Sequence, residues 1–354
     1  MEIFQYEGPL QTEDSFQVKA SAPSNIALVK YWGKYGEQLP KNPSVSFTLD
    51  RCQSITEVDF HPAKNGGFTF LFEGKPKPDF HPKLDTFFSK IKSYCPYIDT
   101  HHLTINSRNT FPHSSGIASS ASAMAALATA FIAFEKHYSQ SWEDSLGQQK
   151  ASFLARLGSG SAARSIQGPL MLWGQSNHYS SSSNSLAVPL TEEIHPVFRT
   201  YRDTILLIDR GQKKVSSTQG HQLMHGHPFA EARFQQAEAH TGQLLSILAT
   251  GDLEAFIRLV ESEALTLHAL MMSSQPYFIL MHAQTLQVLE RVWDFRKQTQ
   301  VPLCFTLDAG ANVHLLYPDS FAETVQAFIR SDLAYYCQDG QYIDDQVGSG
   351  AKIH

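Results

Sequence analysis

The sequence predicts a two-domain protein in which helices and strands both contribute to the core. The chain has 354 residues, more than one small hydrophobic core usually organises. Segments in which apolar and polar residues alternate, as in strands, occur in both halves of the chain, and segments with helical periodicity separate them. We therefore expect a mixed fold, with antiparallel strands near the N-terminus and a domain edge at the serine-rich stretch 180–185.

Composition excludes several classes of function. The apolar fraction of 42% and the charged fraction of 18% are typical of a soluble globular protein. A net charge of −6 gives no reason to expect nucleic acid or an anionic membrane as a partner. No apolar run is long enough to cross a bilayer, and residues 1–8 lack the basic and apolar parts of a signal peptide. The expected location is the cytoplasm.

The cysteines and histidines of the chain are candidate metal ligands. The four cysteines, which are far apart, are interpreted as reduced and at least partly buried thiols: Cys52, Cys95, Cys304 and Cys337. Among the 16 histidines, the closest group is His221, His225 and His227. Spacing of i and i+4 can place two imidazoles on one helix face, so a metal site is one interpretation. Pro228 follows and no carboxylate is adjacent, which favours surface or substrate-side histidines instead.

The predicted elements follow from these periodicities in chain order. Strands are expected at 16–22, 44–49, 67–72, 102–106, 203–209, 301–307 and 313–317. Helices are expected at 82–94, 119–138, 145–157, across 229–272 and at 285–299. No internal repeat or long linker separates them.

The segment 112–128 changes character halfway along. Residues 112–120 are small and turn-prone, and an Ala-rich, apolar helix former follows from Ala121. Ser119 or Ser120 is a natural N-cap. Such a helix start gathers free N–H groups and the positive end of the helix dipole, where phosphate binds well. The spacing is not that of a Walker A loop, and an ordinary capped core helix is the alternative.

Three further places carry charged residues in unusual settings. Lys30 and Lys34 flank an aromatic turn, and two cations this close repel unless an anion lies between them. Arg164 follows a second Gly/Ser turn, where its planar guanidinium suits phosphate oxygens. Asp308 ends a predicted strand in a tight turn, where simple turn chemistry competes with a catalytic role.

Taken together, these segments resemble the GHMP kinase superfamily, and within it the decarboxylase branch. The resemblance covers nearly the whole chain and rests on motifs in the family's order, at 24–27, 30–34, 109–112, 116–121, 158–165, 213–220 and 305–310. It implies an α+β fold with a ribosomal-S5-like N-terminal domain, residues 1–190, and a ferredoxin-like C-terminal domain, residues 191–354. The active site is expected in the cleft between them.

The resemblance also implies an activity. Family members use MgATP to phosphorylate the tertiary 3-hydroxyl of mevalonate 5-diphosphate, after which phosphate and carbon dioxide leave to give isopentenyl diphosphate. ATP and Mg²⁺ are the implied cofactors, no metal-binding residue of the chain is implied, and a homodimer is the family expectation. Alternatives are a mevalonate 5-monophosphate decarboxylase, a mevalonate 3-kinase and a catalytically silent ligand-binding relative.

Residue roles follow from the same match. Asp308 and Lys30 correspond to the catalytic aspartate and its lysine. The expected substrate-binding residues are Tyr31, Trp32, Gly33, Lys34, Lys83, Ser159, Gly160, Ser161, Ala162, Ala163, Arg164 and Thr218. The expected ATP-binding residues are Ser107, Asn109, Gly116, Ile117, Ala118, Ser119 and Ser120. The chain departs from the family pattern at His113, at Ala311 for a proline, at His221 for a methionine and at Lys83 for an arginine.

Overall fold

The computed structural model describes residues 2–112, 117–139, 143–191, 193–211 and 217–354. Its strands are β1 (Phe16–Ala27), β2 (Lys34–Tyr35), β3 (Leu39–Pro40), β4 (Ser44–Pro62), β5 (Gly67–Phe72), β6 (Lys75–Pro76), β7 (His101–Asn109), β8 (Leu170–Trp173), β9 (Ala187–Pro189), β10 (Arg202–Leu206), β11 (Cys304–Leu307), β12 (Val313–Tyr317), β13 (Tyr342–Gln346) and β14 (Lys352–Ile353). Its α-helices are α1 (His81–Ile91), α2 (Ser119–Tyr138), α3 (Asp144–Gly158), α4 (Ser217–Gln222), α5 (Ala230–Thr250), α6 (Leu253–Met272), α7 (Ala283–Thr299) and α8 (Ala322–Phe328).

The first sheet is built mainly from the N-terminal half of the chain. Its strands lie in the order β14-β1-β4-β7-β5-β6, and β8 and β9 extend it from the first residues of β4. β1 and β7 both pair antiparallel with the long β4, as the alternation predicts. The expectation of antiparallel strands holds only in part for β5, which pairs antiparallel with the short β6 but parallel with β7. Alternation reports the buried face of a strand and carries no information about its direction relative to a neighbour.

Helix α2 covers one face of this sheet. It packs on β1, β4 and α3. Its alanines from Ala125 to Ala130 are almost all fully buried, and small side chains let the helix approach the sheet closely. Phe131 and Phe134 then fill the space against Phe60, whose ring stacks on Phe134 with centroids 4.4 Å apart. The predicted helix at 119–138 is confirmed.

The predicted N-cap of α2 is wrong. Ser119 and Ser120 are already the first two helical residues, and Ala118 occupies the cap without a side-chain hydrogen bond. Ala118 adopts left-handed backbone angles, φ 42° and ψ 37°, which cost an L-residue about 1–2 kcal/mol. Strain of this kind persists where the surroundings enforce it, often at functional sites. The serine hydroxyls are thereby left for partners other than the helix end.

The second sheet comes from the C-terminal half. Its four strands lie in the order β11-β12-β10-β13, and all its pairings are antiparallel. Helix α6 packs on β11, and α5 packs on α6. Because β11 ends at Leu307, the chain delivers Asp308 directly from the end of a buried strand.

Two features join the halves. The buried Asp345 carboxylate on β13 accepts hydrogen bonds from the main-chain N–H groups of Asp50, Arg51 and Cys52 on β4, at 2.7–3.0 Å. The last strand, β14, returns to pair with β1 of the first sheet. The mixed α+β architecture is confirmed, whereas the division into residues 1–190 and 191–354 stays a prediction.

The remaining composition-based expectations concern thiols, histidines and membranes. All four cysteines are buried and free. In the part of the chain that the structure describes, no three His, Cys, Asp or Glu side chains cluster as metal ligands. His221 and His227 are buried, while His225 is exposed. No described helix combines the length and the apolar character needed to cross a membrane.

Candidate active site

A cavity of about 560 Å³ lies where α2, the end of β1 and the turn after β11 meet. Four of its described lining residues are basic, namely Lys30, Lys34, Lys83 and Arg164, and one, Asp308, is acidic. Cations lining a concave site attract anionic ligands and concentrate them there. The charge balance therefore favours a ligand with several negative charges.

Lys30 and Asp308 meet in this cavity from opposite halves of the chain. Lys30 follows the end of β1 by three residues and its side chain is 1% exposed, yet its Nζ lies 3.8 Å from Oδ1 of Asp308. Among the described residues, Nζ has no hydrogen-bond partner. Burial lowers the pKa of Lys30 to about 8, although the negative charges of Asp308 and Glu263 oppose this shift. Lys30 is therefore cationic at neutral pH but close to its titration range.

The Asp308 turn is held from behind by a histidine. His268 on α6 is buried and donates through Nε2 to the Asp308 main-chain oxygen at 3.1 Å. Burial lowers the pKa of His268 to about 4, so the ring is neutral at pH 7. The Gly310 N–H also donates to the same Asp308 oxygen, at 2.7 Å. Two bonds to one carbonyl orient the turn from which the carboxylate projects.

Arg164 lies on a short 3₁₀ helix, Gly160–Ser165, which replaces the helix start expected from the second Gly/Ser turn. The side chain is buried, and its Nη1 donates to the hydroxyl of Ser44. Its Nε has no hydrogen-bond partner among the described residues. Burial lowers the pKa of Arg164 to about 10, with Asp308 opposing, so the guanidinium stays charged. A buried cation with an unpaired donor suits an anionic ligand.

The aromatic turn at 31–34 forms another wall. The Tyr31 ring packs against Trp173 and His221, with centroids 4.7 and 4.2 Å apart. The Gly33 N–H donates to His221 Nδ1 at 3.0 Å. Gly33 has φ +94°, and a Cβ there would lie 3.0 Å from the Phe234 ring, so the turn requires glycine.

His221 was not predicted as a site residue. Its Nδ1 accepts the Gly33 bond, so the ring proton resides on Nε2. Burial lowers the pKa of His221 to about 3, and the Lys34 charge adds to this shift. A neutral imidazole therefore lines the cavity.

The expected nucleotide side is assembled from β7 and the start of α2. Ser107, Asn109, Ala118, Ser119 and Ser120 all line the cavity. Lys83 donates to the Ser120 hydroxyl, which places this lysine beside the helix start. Gly116 and His113 lie outside the described residues.

Several expected site residues do not line the cavity. Ala162 and Ala163 are fully buried in hydrophobic clusters, and Ile117 packs in another cluster. The Ile117 carbonyl accepts from the Ser24 hydroxyl at 2.7 Å. Gly33 contributes through its turn geometry. Thr218 belongs to α4, and its side chain lies outside the described residues.

An aromatic patch in the cavity was missed. Phe70, Phe72 and Phe80 line it, and the rings of Phe72 and Phe80 lie nearly parallel with centroids 6.0 Å apart. The alternating phenylalanines of β5 predicted a strand with one apolar face. Alternation does not show whether such a face lines a cavity or packs in the core. His268 and Glu263 gave no signal because they lie within ordinary helical periodicity.

Comparisons with known proteins agree with this geometry. Residues 22–187 match the family model described as the diphosphomevalonate decarboxylase-like N-terminal domain, and residues 204–351 match the mevalonate 5-diphosphate decarboxylase C-terminal domain. A diphosphomevalonate decarboxylase from Ganoderma lucidum is 28% identical over 337 residues, which is 89% of this chain and 82% of that protein.

The similar solved structures are also mevalonate diphosphate decarboxylases. The mevalonate diphosphate decarboxylase of Staphylococcus aureus has a TM-score of 0.83 at 28% identity, covering 97% of this chain and 99% of that one. A structure described as MDDEF in complex with MVAPP, AMPPCP and magnesium has a TM-score of 0.82 at 28% identity, covering 96% and 99%. Since the two family models together span both sheets and the cavity between them, the chain belongs to the diphosphomevalonate decarboxylase family of the GHMP kinase fold.

Proposed function

We propose that the protein is an ATP-dependent decarboxylase that converts mevalonate 5-diphosphate into isopentenyl diphosphate. The observation that carries this proposal is the Asp308 carboxylate, 3.8 Å from the buried Lys30 ammonium, in a cavity whose other charged residues, among those described, are all cations. Membership of the decarboxylase family supports it, as does the MVAPP complex among the similar structures.

Asp308 is the proposed general base. A tertiary alcohol is a hindered nucleophile. Its reaction requires a carboxylate that accepts the hydroxyl proton in a site with little water. Asp308 removes the proton from the 3-hydroxyl as the hydroxyl oxygen bonds to the γ-phosphorus of ATP and ADP leaves. Lys30 keeps the carboxylate ionised by its adjacent positive charge.

The second half of the reaction breaks two bonds. The C3–O bond breaks, inorganic phosphate leaves with the electron pair, and positive charge develops at the tertiary carbon. The C1–C2 bond then breaks, its electrons form the new C2–C3 double bond, and carbon dioxide departs. Lys30, Lys34 and Arg164 neutralise the phosphate charge, and fixed charges of this kind need little reorganisation during the reaction.

The nucleotide is assigned to the side formed by β7 and the start of α2. Phosphate oxygens suit a helix N-terminus, where the first N–H groups lack helical partners. The apolar patch of Phe70, Phe72 and Phe80 suits the flat face of an adenine base. We therefore assign Ser107, Asn109, Ala118, Ser119 and Ser120 to ATP.

Magnesium fits this arrangement as a companion of the nucleotide. In proteins Mg²⁺ keeps several waters and is bound largely through substrate phosphates. Among the described residues, the hydroxyls of Ser119 and Ser120 lie on the nucleotide side, where they would help to hold the ion. When bound, the ion would neutralise the charge that develops on the transferred phosphoryl group.

The substrate side is assigned to the remaining wall. Tyr31, Trp32, Lys34, Ser159, Gly160, Ser161 and Arg164 are proposed to hold the mevalonate diphosphate. Lys83 sits beside Ser120, and an ammonium lacks the bidentate fork of an arginine. The lysine at position 83, where the family pattern has an arginine, is therefore relevant to whether the enzyme binds the 5-diphosphate or the 5-monophosphate of mevalonate.

The test is to measure ADP and carbon dioxide release in parallel with the 5-diphosphate, the 5-monophosphate and free mevalonate. We expect equimolar ADP and carbon dioxide with the 5-diphosphate and far less turnover with the other two. Equal turnover of all three, or of none, would reject the substrate assignment. ADP without carbon dioxide would identify a kinase instead.

We further infer that the protein acts in the cytoplasm as a homodimer. Four buried free thiols suit a reducing compartment. Large apolar side chains at Tyr277 and Ile279 are 79% and 64% exposed, which suits a subunit contact. Light scattering of the purified protein would give the mass, and a monomer at micromolar concentration would contradict the dimer.

A further inference from the structure

The backbone of Lys30 is held by two side chains from the other half of the chain. Its N–H donates to Glu263 Oε2 at 2.8 Å, and its carbonyl accepts from Arg233 Nη2 at 3.0 Å. Glu263 lies on α6 and Arg233 on α5. Asn42 adds a third bond, from its Nδ2 to the Lys30 carbonyl at 2.9 Å. The backbone of this lysine is therefore fixed on both its N–H and its carbonyl side.

Glu263 and Arg233 form a bidentate pair with almost no solvent contact. Arg233 Nη1 and Nη2 donate to the two carboxylate oxygens at 2.7 and 2.6 Å, and the side chains are 1% and 0% exposed. His240 Nδ1 donates to Glu263 Oε1 at 2.6 Å. Two parallel bonds of this kind set direction as well as distance. Buried ion pairs are expensive to desolvate and give weak net stability, so a role beyond stability is the better explanation here.

We propose that Glu263 and Arg233 are positioning residues that aim Lys30 at Asp308 and keep the Lys30 ammonium charged. The inference rests on the proposed role of Lys30 in the reaction. Arg233 orients the Lys30 backbone, because its Nη2 donates both to Glu263 and to the Lys30 carbonyl. Glu263 also orients this backbone, because it accepts from the Lys30 N–H, and it places a negative charge close to Lys30.

The charges that act on Lys30 agree with these two roles. The Glu263 charge is among the influences that raise the pKa of Lys30 against its burial, second to Asp308. Removal of that charge lowers the pKa further and leaves Arg233 as an uncompensated buried cation, which acts in the same direction. In the part of the chain that the structure describes, the charged or titratable groups around Lys30 come from five elements or turns: Asp308 after β11, Glu263 and His268 on α6, Arg233 and His240 on α5, Arg164 on the 3₁₀ helix and Asp203 on β10.

The experiment compares two variants with one control in the full-length protein. Glu263→Gln removes the charge, and Arg233→Lys keeps a cation but loses the fork. Glu261→Gln is the matched control, because Glu261 lies on the same helix and pairs with Arg296 at 2.7 Å but has no contact with Lys30. Two quantities are measured for each across about pH 6 to 9.5: steady-state kcat and KM with mevalonate 5-diphosphate and ATP, and the titration of Lys30. The titration is followed by NMR, from the chemical shift of the Lys30 ε-carbon in protein labelled with 13C-lysine.

Each variant has its own expected result. Glu263→Gln should move the Lys30 titration and the alkaline limb of kcat together to lower pH. Arg233→Lys should lower kcat by about ten- to a hundredfold, the scale of a small misplacement of a catalytic group, with little change in KM or in the position of the limb. Glu261→Gln should lower the melting temperature while kcat and the Lys30 titration match those of the wild type.

Unchanged kcat and Lys30 titration in folded Glu263→Gln would overturn the inference. If that variant does not fold, wild-type kcat in folded Arg233→Lys overturns it instead. The NMR titration does not depend on turnover. An inactive wild type would therefore reject the proposed function, while the NMR titration would still test whether Glu263 controls the Lys30 charge.

Discussion

The Lys30 ammonium nitrogen lies 3.8 Å from Asp308 Oδ1, although the two residues follow strands of different sheets and differ greatly in exposure, at 1% and 32%. The lysine is sealed from solvent while the aspartate reaches into the cavity. This arrangement leaves the Asp308 carboxylate accessible to a substrate hydroxyl. Bulk water has almost no access to the Lys30 ammonium, so it screens the charge on that group little. A neighbouring cation favours the ionised form of a carboxylate, and the ionised form is the one that can accept a proton.

Asp308→Asn should nearly abolish turnover without loss of the fold. The amide is close to isosteric but cannot accept the hydroxyl proton, and loss of a general base costs about 10²–10⁴-fold in rate. Single-turnover carbon dioxide release measures the effect, with melting temperature and substrate affinity as controls. A variant that retains more than about a tenth of wild-type turnover would contradict the assignment, because that loss falls short of the general-base range.

Activity should fall as pH rises through the titration of Lys30. A lysine is charged below its pKa and neutral above it, and the pKa of Lys30 is lowered by burial to about 8. The charge is therefore present near pH 6 and is lost progressively above about pH 8. A pH profile of kcat at constant ionic strength should show this alkaline limb.

Lys30→Arg provides the control for that limb, since a guanidinium titrates far above the assay range. In any active Lys30→Arg enzyme the limb should disappear or move beyond pH 9. A limb at the same pH in this variant would assign the titration to another group.

Arg164→Lys should weaken binding of the mevalonate diphosphate more than binding of ATP. Arg164 is buried and bonds Ser44 through Nη1, while its Nε has no partner among the described residues and is left for the ligand. An ammonium cannot reproduce both bonds. One lost charge-assisted bond is worth about 1.5–3 kcal/mol. Separate calorimetric titrations of the two ligands measure the difference.

The matched control is Arg156→Lys, because Arg156 is also buried but donates to the carbonyls of Ser185 and Glu37 and does not line the cavity. It should leave the affinity for both ligands close to wild type. An equal loss of ATP affinity in Arg164→Lys would show that Arg164 serves the nucleotide.

His221→Met should reduce the sensitivity of the fold to acid. Burial, with the Lys34 charge, lowers the pKa of His221 from 6.5 to about 3 in the folded protein. The unfolded chain therefore binds a proton at this residue below about pH 6.5, whereas the folded protein does not until about pH 3. Stability contributed by the neutral ring is complete above pH 6.5 and lost as pH falls through this window.

Melting temperatures between pH 7 and pH 4 test this dependence. The decline should be shallower in His221→Met than in the wild type. His225→Met, which alters an exposed histidine four residues away, should follow the wild-type decline. Identical slopes for His221→Met and the wild type would contradict the prediction.

Several elements followed directly from local sequence. The Ala-rich stretch predicted α2 over its full length, since good helix formers and the absence of Gly and Pro act within the segment itself. Lys30, Arg164 and Asp308 were identified because charged residues stood in apolar or glycine-rich settings that matched family motifs. Each of these signals lies within a few residues of the side chain concerned.

Other features depend on partners that are distant in the chain. The parallel pairing of β5 with β7, the left-handed cap at Ala118 and the cavity face of Phe72 arise from packing between segments. Glu263 lies 233 residues from Lys30 and looks like any acidic residue of an amphipathic helix. Periodicity shows which face of an element is buried, but not what it is buried against. Local sequence was therefore enough to predict the main helices and strands and the charged groups of the site. It could not show which of these groups meet, because those contacts depend on packing between segments that are far apart in the chain.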